Sequence, residues 1–198
     1  ASHDVEQLRR LDEALGVNYV LLGWAWQSHA LWCLGYPQSA LNRCHEAVRL
    51  ARDLAQPFNQ ALAAAYLAML AQFCADDATA AMYADEALAL ASEYKAPYYR
   101  AWSAILVAYA QAWEQPDEEH IARLRDAIAA FTAAGARLRL PYYLSLLART
   151  YHRAGRAGDG LTTLDEALES SRTQNERWWD AELHRLRGEL LLAVGAEG

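Results

Sequence analysis

The side chains of this sequence that could do chemistry are its histidines, its cysteines and its paired carboxylates, and their spacing argues against catalysis. His3, His29, His45, His120, His152 and His184 stand singly. No HExxH and no metal-type pairing would bring two imidazoles onto one helix face, so no metal site is expected. Cys33, Cys44 and Cys74 show neither metal-ligand spacing nor a nucleophile motif, and their odd number fits a reducing compartment where thiols serve as small core residues. The serines lack a Gly-x-Ser-x-Gly elbow, and no glycine-rich loop closes on Gly-Lys-Ser/Thr. Neither acyl transfer nor nucleotide hydrolysis is therefore expected from this chain, and no cofactor is implied. Asp76-Asp77 and Glu118-Glu119 fall at expected helix starts, where a carboxylate favours the positive end of the helix dipole.

The elements that carry these residues repeat. HEAVRLA from His45, DEALALA from Asp85, RDAIAAF from Arg125 and DEALESS from Asp165 recur every 40 residues. Each places Ala47, Ala87, Ala127 or Ala167 before an aliphatic residue, and the apolar positions keep helical spacing. These segments are second, or B, helices, and Cys44 shares a position with Leu164, which makes it a core residue. A matching set of small residues, Ser28, Ala68, Ala108, Ala148 and Gly188, marks first, or A, helices that sit close against them. Pro37, Pro57, Pro97, Pro116 and Pro141 fall between apolar stretches or in a first helical turn, where a missing N–H costs little. Gly35, Gly135, Gly155 and Gly158 fall at the remaining turns.

The expectation is an all-α chain, one α-solenoid domain over residues 1–198. A leading helix covers 5–15, helix pairs cover about 18–54, 58–94, 97–134 and 141–173, and a final helix covers 176–194. The alternation of a half-buried strand is absent, while Ala, Leu, Glu and Arg dominate.

A formal charge of −7 and a pI near 5.3 argue against a phosphate-binding surface, so no direct nucleic-acid contact is expected. Lys95 is the only lysine, an imbalance that a GC-rich coding bias explains. No charge-free run of roughly 18 apolar residues is present, and the N-terminus lacks a signal-peptide pattern, so a cytoplasmic protein without membrane contact is expected. The chain opens on Ala1, which suggests a piece of something longer.

The fourth pair carries a tetratricopeptide signature: Leu144, Leu147-Ala148 and Tyr151 in its first helix, Gly155 at the turn, and Gly160, Leu164 and Ala167 in its second. With ALWCLGYPQSAL from Ala30, EAVRLARDLAQPF from Glu46 and ERWWDAELHRLRGELLL from Glu176, most of the chain beyond Ala30 resembles one known group. That group is the C-terminal tetratricopeptide-type region of large bacterial signalling ATPases, many of them fused to class III adenylate cyclase domains. Related arrays occur in LuxR-type transcriptional activators. Around Glu119-His120-Ile121 and Asp126-Ala127 the family more often has glycines. The resemblance implies an input, scaffold or oligomerisation arm whose catalytic modules lie elsewhere in a parent protein.

In such arrays the A helices line a concave face. Carried over from the fourth pair in steps of 40, its expected lining includes His29, Trp32, Met69, Phe73, Trp102, Tyr109, Trp113, Tyr142, Arg149, His152 and Arg153, aromatic-rich with a basic end. This surface suits a protein or peptide whose acidic group reaches Arg149 and Arg153. Two other readings stay open: a small-molecule effector sensor controlling an attached module, and a structural arm that makes a homo-oligomer or docks on other domains of the parent chain. The Trp178-Trp179 pair reads as packing before ligand stacking.

Overall fold

The computed structural model describes residues 18–196; the expected helix at 5–15 lies outside them. Among the described residues all regular structure is helical, with no strand. The helices are α1 (Tyr19–Cys33), α2 (Pro37–Leu54), α3 (Pro57–Phe73), α4 (Asp77–Glu93), α5 (Pro97–Glu114), α6 (Glu118–Ala133), α7 (Leu140–Arg153), α8 (Ala157–Gln174) and α9 (Asp180–Ala196). Odd-numbered helices are the expected A helices and even-numbered ones the B helices.

Helix starts follow the residues that punctuate the sequence. Asp76 accepts from the Thr79 N–H at 3.1 Å, Asp117 from the His120 N–H at 2.9 Å and Asn18 from the Leu21 N–H at 2.9 Å, each capping a helix. Asp77, Glu118 and Glu119 lie in the first turns that follow. Prolines open α2, α3 and α5, and Pro141 sits in the first turn of α7.

Helix ends keep a stricter rhythm. Gly35, Ala55, Ala75, Lys95, Gly135, Gly155 and Asn175 all have positive φ, at intervals of 20 residues with one gap at Gln115. Most carry the paired bonds of a Schellman turn. The residue after the turn donates back over the helix end, as in Tyr36 N to Leu31 O, Asp76 N to Ala71 O and Arg156 N to Tyr151 O, each at 2.9 Å. Gln115 precedes Pro116, which disfavours the α region for it.

The chain divides into two compact units, Ala1–Val107 and Ala108–Gly198, with the boundary inside α5. In the first, α1 packs on α2, α2 on α3 and α3 on α4, and α1 also packs on α3. In the second, α6 packs on α7, α7 on α8 and α8 on α9, and α7 also packs on α9. Long helices joined by turns this short run antiparallel to their neighbours. Pairing of consecutive helices, with A helices also meeting each other, is the arrangement of an α-solenoid. One A helix lies central to each unit: α3 is buried at every position from Ala61 to Gln72, and α7 at all but one from Leu140 to Tyr151.

The B helices press one stripe inward: Ala40, Cys44, Ala47 and Ala51 in α2, Ala80, Ala84, Ala87 and Ala91 in α4, Gly160, Leu164, Ala167 and Ser171 in α8, all buried. Side chains this small let helix axes approach closely. A Cβ added to Gly160 would lie 3.1 Å from the Ala148 carbonyl oxygen and from a methyl carbon of Leu190. In α6 the same stripe loosens, because His120 and Ala127 are only half-buried.

Two expectations need correction. The last helix begins at Asp180, not Glu176, because the Glu176 carboxylate is held outside helical geometry: it accepts from the Arg139 N–H at 2.9 and 3.0 Å and from the Trp178 indole N–H at 2.7 Å. Gly158 lies in the first turn of α8 rather than at a turn with positive φ.

Candidate functional site

In the first unit the expected groove residues lie within an aromatic ladder running along neighbouring A helices. His29 is buried, and its Nε2–H donates to the Tyr66 carbonyl at 3.0 Å, so the ring is held and its tautomer set. Phe73 lies 5.1 Å from His29 and 4.8 Å from Trp32, centroid to centroid, and Tyr66 lies edge-on to Trp102 at 5.1 Å. Met69 and Trp102 are fully buried and present no surface to a partner. Trp32 and Phe73 keep partial exposure at the C-terminal ends of α1 and α3.

In the second unit Tyr109 and Tyr142 are likewise buried. Trp179 packs edge-on against Tyr142 at 5.0 Å and donates its indole N–H to the Ser145 hydroxyl at 2.9 Å. Trp178 lies against Tyr142 at 6.0 Å and stays partly exposed. Burial pushes the Tyr142 phenol well above its ordinary range, with the neighbouring Tyr109 and Tyr143 adding to the shift and Arg149 opposing it. The next turn of the array has sealed this part of the face.

The other four expected residues come together. Trp113 of α5 lies under two guanidinium groups of α7, Arg149 at 5.0 Å and Arg153 at 4.7 Å from its ring centroid. The two arginines are one helical turn apart, so α7 presents both to the same indole. They and His152 line a cavity of about 400 Å³, closed on its far side by Arg185, Leu186 and Glu189 of α9. Arg185 is bound by Glu182 and Glu189, which raise its pKa further. Arg149 and Arg153 enter no ion pair among the described residues. A guanidinium over an indole face is attracted by the ring's electron-rich face and does not use up its N–H donors there. The arrangement can hold an anion.

Sequence reasoning missed a larger cavity, of about 610 Å³, on the opposite side of α7. Among the described residues α6 and α8 do not pack on each other, and the gap between them is floored by Leu140, Leu144, Leu147 and Tyr151, which are themselves almost fully buried. The only sequence signal was the apolar stripe of α7, which reads as ordinary core.

The described residues hold no group of three or more His, Cys, Asp or Glu side chains placed to bind a metal, and no helix is long and apolar enough to cross a membrane. Fold and site define a class, an all-helical repeat protein with a stacked tryptophan–arginine cavity. Compared with known proteins, the chain matches no protein-family model and no curated protein.

Proposed function

We propose that this chain is a non-catalytic recognition array that binds a protein or peptide partner through the A-helix side of its second unit, with an acidic group of the partner seated on Arg149 and Arg153. The observation that carries the reading is the convergence of two guanidinium groups, unpaired with any acid among the described residues, on one half-buried indole beside a cavity. Arg149 is half-buried and Arg153 exposed, and both guanidinium groups rest over the same indole, an arrangement that lowers the ordering cost of binding. The tetratricopeptide resemblance supports the same reading, and with it an intracellular bacterial signalling parent bearing an ATPase, cyclase or transcription-activator module.

A second reading, an effector-sensing domain, draws on the cavity itself, since about 400 Å³ falls within the range of small-molecule sites. A third, self-association, draws on Leu191, Leu192 and Val194, which stand exposed on α9.

The test is an array of immobilised peptides, each acidic sequence beside its Gln/Asn counterpart. The chain should retain a subset of the acidic members only, and Arg149→Gln with Arg153→Gln should weaken them by about 1.5–3 kcal/mol per lost charged contact. Retention that ignores both the acids and the arginines would sink the reading.

A further inference from the structure

We infer that the group taken by Arg149 and Arg153 is a dianion of the phosphate monoester type, as on a phosphorylated hydroxyl side chain, and not a single carboxylate. The inference rests on the reading of this cavity as the place where the partner's acidic group is held. Its argument is charge and donor geometry. The acids beside the lining, Glu189 and just outside it Glu182, both pair with Arg185, which leaves Arg149 and Arg153 the two lining charges without an acid partner among the described residues. A lone carboxylate would neutralise half of that and offers two oxygens, enough for one guanidinium fork. A phosphate monoester carries about −1.5 to −2 at neutral pH and three terminal oxygens, so each arginine can bring two N–H donors to it. Both guanidinium carbons lie over the one Trp113 ring, 5.0 and 4.7 Å from its centroid, which brings the two charges together and suits one compact polyanion better than two separate acids. The chain as a whole carries −7, so a pocket with a local surplus of positive charge stands out against its own surface and would draw an anion by short-range contacts, not long-range steering.

The experiment uses the whole chain, isotopically labelled, and follows the Trp113 indole N–H, assigned by its loss in Trp113→Phe. O-phosphoserine, glutamate and inorganic phosphate are titrated separately. O-phosphoserine should move the Trp113 signal with about tenfold higher affinity than glutamate, and inorganic phosphate should compete with it. Arg149→Gln and Arg153→Gln should each abolish most of the preference. Arg149→Lys and Arg153→Lys keep the charge but lose the fork, so they should also lose it, and they stand in if a glutamine variant fails to fold by circular dichroism. Glutamate binding as tightly as O-phosphoserine, or a phosphate response that survives without both arginines, overturns the inference, and so does a Trp113 signal that none of the three compounds moves. Equal binding of glutamate and O-phosphoserine through these arginines would leave the acid-accepting site standing. Phosphate and O-phosphoserine binding there with no peptide retained on the array would do the reverse.

Discussion

Cys44 is a buried thiol whose pKa desolvation pushes up to about 12, with the neighbouring Ser28 hydroxyl only partly opposing the shift. The sign of its effect on stability follows. The unfolded thiol begins to lose its proton near the ordinary value of about 8.5, while the folded one keeps it. Its contribution is therefore complete below that pH and is lost as the pH climbs toward about 12. Denaturant midpoints measured from pH 7 upward should fall over this window and fall less in Cys44→Ala. Ala167 supplies a second expectation at the residue scale. It is fully buried against α7, so Ala167→Leu should cost roughly 1–3 kcal/mol by overpacking, whereas half-buried Ala127→Leu should cost less; thermal melts of both check the ranking. Single residues were legible in the sequence by type more than by exposure. The spacing put His29, Met69, Trp102, Tyr109 and Tyr142 on the A helices, but a period cannot say that the next helix already covers them. Trp178 and Trp179 illustrate the reason: they reach Tyr142 from a short non-helical segment that no periodicity marks.

At the scale of elements the sequence was informative, because proline, glycine and acidic caps set most boundaries. What it hid was the uniformity of the turns. Glycines revealed three of the positive-φ positions, while Ala55, Ala75, Lys95 and Asn175 adopt the same conformation without glycine's freedom. They do so because backbone bonds across the helix end, paired as Schellman bonds at Ala75, Lys95 and Asn175, and the packed helices on either side over-determine the turn. The strain is recoverable. Ala75→Gly and Lys95→Gly should each stabilise the chain by up to about 1 kcal/mol, the relief of a left-handed Cβ less glycine's extra unfolded-state entropy, and differential scanning calorimetry should show melting temperatures that rise. The larger cavity beside α7 was illegible for a related reason. The stripe Leu140, Leu144, Leu147 and Tyr151 has core spacing and core burial, and only the separation of α6 from α8 places a cavity over it.

For the whole molecule, each unit depends on a central A helix that neighbours surround, so local repeats and not distant contacts supply most of the stability. Removal of Tyr36–Ala75, one full period within the first unit, would join Gly35 to Asp76 and leave an A helix followed by a capped B helix. We expect that shortened chain to fold with unchanged helicity per residue and a lower melting point, read by circular dichroism. Removal of Tyr36–Ala55 alone joins α1 to α3 across an intact turn, and should give a chain that loses its cooperative transition.

The beat of left-handed turns gives the array something like a reading frame. Each of these turns is a licensed splice point, yet only an even number of steps is in phase. An odd step is a frameshift, silent in the local grammar of the chain, that turns the inside of every later helix outward. Duplication and loss could therefore change the reach of such a protein freely, provided that they counted by twos.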